Sequence, residues 1–219
     1  MNFDFSPVLS QWPGLLSGVA LTLVMTLVAT VFGIVLGIAC GWGRVNAPTP
    51  VRWGIACYVE LVRNTPYIIQ LFFIFFGLPA MGIKMSALTA SILSLVLNLG
   101  AYASEITRAG MQNTPRSQVE TAESLALTRW QIFAWIILPP ALGRVWPALV
   151  SQVIIIMLGS AVCSQISAQE LSYSANLIAS RTFRNFEAYI VAAVIYLCLA
   201  ILVRQILNWV GPRFIFRRP

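Results

Sequence analysis

Five stretches of this 219-residue chain, residues 5–43, 64–83, 85–104, 145–169 and 188–203, contain no Asp, Glu, Lys or Arg. A helix needs about 20 predominantly apolar residues to cross the hydrocarbon of a bilayer, so these runs constrain the fold before any motif is considered. Residues 15–40 and 188–203 are apolar on every helical face. A membrane β-barrel would instead alternate apolar and polar residues, and only helices and closed barrels satisfy their backbone groups in lipid. The expected fold is an all-α membrane protein of about five transmembrane helices, near residues 15–42, 53–78, 86–107, 143–164 and 187–209. Composition agrees, since 58% of residues are apolar and 10% charged, against about 25% charged in a soluble domain. Such a chain could not cover a water-facing surface, and its mean hydropathy of +0.81 excludes extended disorder.

The charged residues then orient the spans. With the N-terminus outside, the cytoplasmic segments collect nine basic residues: Arg44, Arg52, Arg108, Arg116, Arg129, Arg204, Arg213, Arg217 and Arg218. The outer segments hold three, Lys84, Arg181 and Arg184. This imbalance follows the positive-inside rule and gives an N-out, C-in expectation. It also accounts for the net charge of +7 without a nucleic-acid partner, and the basic tail from Arg213 to Arg218 is placed to touch anionic lipid. Arg63 and Arg144 fall inside or beside the spans and remain unplaced. The segment before the first run carries Asp4 and no basic residue, so that run is not expected to be a cleaved signal.

Other chemistry is missing. There is no histidine, the commonest metal ligand and proton shuttle. Cys40, Cys57, Cys163 and Cys198 show no CxxC spacing, so neither a metal site nor a disulfide framework is expected, and all four read as buried structural thiols. No P-loop occurs, and the only lysine is Lys84. No catalytic residue is expected, because a nucleophile needs a nearby base and none is evident beside serines such as Ser160.

Two spans are irregular. In the second, Glu60 and Arg63 are spaced to share a helix face and are followed by Asn64-Thr65-Pro66. Either the charges snorkel to the interface while Pro66 bends the helix, or Pro66 breaks the span beside a substrate path. The fourth span is preceded by residues 130–142, apolar enough to lie on the membrane. Pro139, Pro140 and Pro147 argue against one straight helix there. Gly33, Gly37 and Gly41 form a GxxxG-type packing face in the first span.

The segment at about residues 108–130 differs in composition. Ser117 and Glu120 are spaced as a capping box, and Val119, Ala122 and Leu125 recur three apart, which predicts a short one-stripe amphipathic helix. Glu120-Thr121-Ala122, then Ala126 after three residues, then Ile136-Ile137-Leu138-Pro139 after nine more, closely resembles the EAA loop of bacterial ABC importer permeases. Arg63-Asn64-Thr65-Pro66 with Gln70-Leu71-Phe72-Phe73, and Gly100-Ala101-Tyr102 with Glu105-Ile106 and Arg108-Ala109-Gly110, resemble the permease subunits of polar amino acid importers, the histidine/glutamine/arginine group. The resemblance covers nearly the whole chain.

That resemblance implies a single transmembrane permease domain over residues 1–219 in the bacterial inner membrane, of the type I importer kind. It implies a second permease subunit, identical or paralogous, two ATPase subunits that carry ATP and magnesium, and an external amino-acid-binding protein; no cofactor is expected on this chain. The helix bearing Glu120 resembles the coupling helix that inserts into an ATPase cleft, with Glu120, Thr121, Ala122, Ala126, Leu138 and Pro139 on the coupling segment. Ala126 replaces the family's usual glycine, which costs on the order of 1 kcal/mol if that position has positive φ. Leu158-Gly159-Ser160-Ala161 lacks the polar or charged residue relatives often carry there. Either a ligand's charge is met elsewhere, or this subunit is the less involved half of a heterodimer.

Gln70, Asn98, Gln152 and Ser160 are the candidate substrate-pathway residues, being polar at mid-membrane depth. Each could instead form an interhelical hydrogen bond. The alternative function, a self-sufficient secondary transporter or channel, would call for acidic residues at mid-depth, whereas Glu60 and Glu105 fall near span ends.

Overall fold

Residues 4–215 are described by a computed structural model, in which helices joined by short turns and loops are the regular structure and no strand occurs among the described residues. Arg217 and Arg218 of the basic tail lie outside the described residues. After a single turn at Ser6–Leu9, helix α1 runs from Trp12 to Asn46. It is followed by α2 (Thr49–Arg63), α3 (Tyr67–Ala80), α4 (Ala87–Gln112), α5 (Arg116–Ser124), α6 (Arg129–Ile166), α7 (Leu171–Thr182) and α8 (Asn185–Val210).

Helices α1, α4, α6 and α8 are each long and apolar enough to span a bilayer. Of these α4 is the most buried and α8 the least. The reason lies in side-chain size. Lipid is as apolar as leucine, so helices associate through close van der Waals contact, and small residues permit it. The buried face of α4 carries Ala90, Ser91, Ser94, Ala101, Ala103, Ser104 and Thr107. Against it lies the α1 glycine stripe: a Cβ on Gly33 would meet Leu99 at 2.8 Å, one on Gly37 would meet Ala103 at 2.4 Å, and one on Gly41 would meet Thr107 at 2.6 Å. The GxxxG expectation is met as a packing face. Thr107 also donates to the Gly37 carbonyl at 3.2 Å, a bond that the missing glycine side chain leaves room for.

The second span is not one helix. Its halves, Thr49–Arg63 and Tyr67–Ala80, meet at 113°, which decides for the break and against a mere bend. Pro66 has no N–H to continue α2, and its ring pushes Thr65 out of helical geometry. Side chains add bonds to the carbonyls at the break: Thr65 Oγ1 donates to Leu61 O at 2.8 Å, and Asn64 Nδ2 to Glu60 O at 2.8 Å beside the Asn64 N–H at 3.0 Å. Nor do Glu60 and Arg63 pair with each other. Glu60 accepts from the Asn64 amide, and Arg63 turns toward Glu105, 4.0 Å away, and over the Tyr102 ring.

The fourth span is longer than expected. Its prolines do not interrupt it: α6 is helical over all 38 residues, far longer than 143–164. A π-helical stretch, Ile132–Ile137, precedes Pro139 and Pro140. The wider π turn offers these two rings, which have no N–H, a way into the helix without the usual clash with the carbonyl four residues back. A 3₁₀ stretch, Ser160–Ile166, ends the helix at Ser167, φ 64°. The 12-residue α7 that follows was not foreseen; it packs on α1, where Gly18 admits Leu171 and Ser174.

The cysteines divide. Cys40 and Cys163 are buried, whereas Cys57 and Cys198 are exposed on the helix surfaces. A thiol is a small apolar group, and in a lipid-facing helix nothing drives it inward, so burial of all four does not follow from their apolar surroundings.

Candidate functional site

Helix α5 is the short helix expected around Glu120, but its cap differs. It begins at Arg116 after Pro115, with no side-chain cap, so Ser117 and Glu120 form no capping box. Ser117 already lies inside the helix, where its carbonyl accepts from Thr121 Oγ1 at 2.8 Å. A capping box does form one segment later, between Thr128 and Gln131 at the start of α6. Only Ala122 is buried in α5; Glu120, Thr121 and Glu123 are exposed, and Leu125, expected on the apolar stripe, is 71% exposed because the helix ends before it.

The exit from α5 is a Schellman turn: Leu127 N–H donates to Ala122 O at 3.2 Å and Ala126 N–H to Glu123 O at 2.9 Å. Ala126 occupies its left-handed position, φ 56°. The glycine usual in the resembled loop is therefore missing at a position that favours it. Ala126→Gly is expected to stabilise the chain by about 0.5–1 kcal/mol, the left-handed penalty of a Cβ less the added freedom of glycine when unfolded. The gain would be read as a higher melting temperature of the purified protein in detergent, and a lower one would contradict it.

Several contacts fix the segments on either side of α5. Arg144, unplaced from sequence, donates from α6 to the Gly110 carbonyl at 3.1 Å and to Thr114 Oγ1 at 3.0 Å, pinning the segment that leads into α5. Trp42 of α1 meets Trp130 edge-on at 6.3 Å and Phe133 at 5.4 Å, joining the end of α1 to the start of α6. Between α5 and α6 lies an open, largely apolar cavity of about 440 Å³, lined by Ala122, Leu125, Leu127, Trp135, Ile136 and Pro140 among others. Leu138 and Pro139 are half-buried in the first turns of α6, and Leu138 packs toward Met111, Phe133 and Ala141. The arrangement leaves most of a short polar helix exposed, with Ala122 seated toward the start of α6.

At the same end of the bundle, Glu105 of α4 gathers three arginines. Arg44 from α1 contacts it directly, Arg108 lies 2.7 Å away, and Arg63 approaches at 4.0 Å. This ties the last turn of α2, just before the break, to the ends of α1 and α4.

The four pathway candidates do not form one cluster of free groups. Gln70 Nε2 reaches back across the break to donate to Val62 O at 2.7 Å and Thr65 O at 2.9 Å, while its Oε1 accepts from Asn98 Nδ2 at 2.9 Å. Those two residues lock the broken span to α4. Ser160 is fully buried and bonds the Met157 carbonyl at 2.7 Å. Gln152 is buried on α6, and among the described residues its amide has no hydrogen-bond partner.

Tyr67 and Glu170 are among the polar groups that escaped the sequence reading. Tyr67, first residue after the break, places its hydroxyl 2.9 Å from Ser94 Oγ and 3.2 Å from Cys163 Sγ, joining α3, α4 and α6. Just before α7, Glu170 is fully buried, caps that helix by accepting from Tyr173 N–H at 2.8 Å, and receives the Tyr196 hydroxyl. Burial pushes its carboxyl above the ordinary carboxylate range, against those hydrogen bonds. Its position before Leu171-Ser172-Tyr173 could have been read as an N-cap.

Comparison with known proteins bears on this geometry. The family model for the binding-protein-dependent transport system inner membrane component matches residues 33–216. The glutamine transport system permease protein GlnP of Escherichia coli strain K12 is 30% identical, over 95% of this chain and 96% of its own. The arginine transport system permease protein ArtQ of Bacillus subtilis strain 168 is 31% identical over 93% of each. A chain from the crystal structure of an amino acid ABC transporter with histidines superposes with a TM-score of 0.86 at 32% identity, covering 98% of this chain and all of that one. The MetNI methionine ABC transporter, at 21% identity and a TM-score of 0.75, shares the fold. With its bundle of spans, its broken second span and a family match over most of its length, the chain belongs to the binding-protein-dependent transport system inner membrane components, as a multi-pass inner-membrane permease of the amino acid ABC transporter group.

Proposed function

We propose that this chain forms half of a translocation pathway for polar amino acids and takes its motion from a separate ATPase subunit through α5. The observation that carries the reading is α5 itself: a nine-residue helix with one buried residue, flanked by segments that Arg144 and the Trp42–Phe133 contact tie to the bundle. A helix that short is marginal alone, and its exposed carboxylates Glu120 and Glu123 make no hydrogen bond or ion pair within the chain among the described residues. An ATPase cleft with a basic residue opposite Glu120 supplies what the helix lacks. Thr121 lines the contact, Ala122 seats the helix toward α6, Ala126 shapes its exit, and Leu138 and Pro139 pass the displacement into α6. In this reading α5 faces the cytoplasm and the N-terminus lies outside, with ATP and magnesium on the ATPase.

Within the pathway Gln152 is the strongest of the four candidates for substrate contact, since Gln70, Asn98 and Ser160 already spend side-chain groups on the bundle. The names of the similar proteins, glutamine for GlnP and arginine for ArtQ, support a polar amino acid as cargo. The test is reconstitution in liposomes with the ATPase, the second permease subunit and the binding protein. Uptake of labelled glutamine or arginine should require ATP, and the chain alone should show none under proton or sodium gradients. Gradient-driven uptake by the chain alone would replace this reading with a secondary transporter.

A further inference from the structure

At the α5 end of the bundle, the end of α1, the start of α2 and the end of α4 border an open cavity of about 520 Å³ lined by Arg44, Arg52, Trp53 and Arg108, with Thr49 and Gln112 beside them. Its charge is unbalanced. Arg44 and Arg108 share the single carboxylate of Glu105, which Arg63 also approaches. Glu60, the nearest other acid along α2, is engaged by Asn64. Arg52 is exposed and has no partner among the described residues, while Arg108 Nε is buried without a hydrogen bond. Helix α2 begins at Thr49 after Pro48, with no side chain capping its first turn, so the positive end of the helix adds to the same cavity.

Its depth is set by sequence. Arg44 is the first charge after residues 5–43, and Glu105 and Arg108 are the first after residues 85–104. The cavity therefore lies where two uncharged runs end, at the level at which hydrocarbon gives way to headgroups. Its rim fits that level: Trp53 is 73% exposed, a usual residue of the membrane–water interface, and Val45 and Val51 are exposed beside it.

We propose that this cavity seats the phosphate of an anionic phospholipid from the leaflet on the α5 side, with Arg52 as its donor, Arg108 adding charge while it bonds Glu105 at 2.7 Å and Gln112 at 3.0 Å, and Trp53 against the glycerol region. Basic pockets between spans at the cytoplasmic face recognise such headgroups through the same chemistry. The leaflet rests on the reading that α5 faces the cytoplasm. The site itself does not, and a lipid held here would brace α2 against α1 and α4 beside the broken span.

The full chain, purified in mild detergent and mixed with equal phosphatidylglycerol and phosphatidylcholine, tests it by native mass spectrometry. Phosphatidylglycerol should be retained selectively. Arg52→Ala should weaken that retention about fivefold with an unchanged melting temperature, since Arg52 supports nothing else, and Arg52→Lys should recover most of it. Arg204→Ala on α8 should leave it unchanged. Equal retention of both lipids, undiminished binding in Arg52→Ala, or an equal loss in Arg204→Ala would overturn the site. Millimolar inorganic phosphate displacing the lipid would show a soluble-anion site and overturn the lipid assignment. None of these readouts depends on ATPase attachment, so they stand or fall apart from the coupling role of α5.

Discussion

Reversing the charge at Glu120, as Glu120→Lys, should abolish ATP-dependent uptake and strip the ATPase from the purified complex while leaving the chain folded and inserted. The side chain is exposed on α5 and makes no hydrogen bond or ion pair within the chain among the described residues, and surface substitutions of that kind usually change stability by less than about 0.5 kcal/mol. Its cost falls on the partner. Removing one member of a hydrogen-bonded charge pair at an interface costs about 2–5 kcal/mol, thirtyfold or more in affinity, and lysine adds repulsion. Glu120→Gln keeps the shape and one acceptor and should lie between. Co-purification by affinity tag and uptake in liposomes read the effect; wild-type levels of both in Glu120→Lys would remove the coupling role from this helix.

The other large effect concerns the α1–α4 contact. Gly37→Leu should prevent the native bundle from forming, because even the first carbon of the new side chain meets Ala103 Cβ at 2.4 Å, with backbone atoms of Ala103 and Ser104 at 2.9 and 3.0 Å behind it. Backbone cannot rotate aside as a side-chain tip can, so the helices must separate, and the Thr107 bond to the Gly37 carbonyl is lost with them. Overpacking ordinarily costs about 1–3 kcal/mol, and this site belongs at or beyond the top of that range. Gly14→Leu, at a glycine with nothing within 4 Å, is the control. Thermal unfolding in detergent and accumulation in the membrane should both fall for Gly37→Leu alone; equal behaviour of the two variants would show that α1 and α4 do not pack as described.

Which features were legible in the sequence follows from the range of the forces involved. Spans could be read because a charge in hydrocarbon is costly wherever the chain folds, so the uncharged runs mark the helices directly. The glycine stripe was legible for a related reason: three glycines at four-residue spacing have one use in a lipid-facing helix. Sequence spacing also led astray wherever several local outcomes are close in energy. Glu60 and Arg63 share a helix face, yet a carboxylate from α4 lies close enough to draw the arginine away. Ser117 and Glu120 have capping-box spacing, yet Pro115 starts the helix two residues too early for it. Prolines 139 and 140 are absorbed by a π turn that nothing in their identity announces.

Sequence alone determined the helical membrane fold, the five apolar segments and the short polar helix with Glu120, because these depend on transfer between water and lipid and on local motif. Tertiary structure decided what the polar residues inside the membrane do. Gln70 is turned into a clamp on the broken span and Glu105 into a hub for three arginines, Gln152 keeps its amide unspent, and Ala126 is held at positive φ. A polar group in a low-dielectric bundle bonds to whatever partner comes within about 3 Å. Which partner that is depends on how helices far apart in sequence cross.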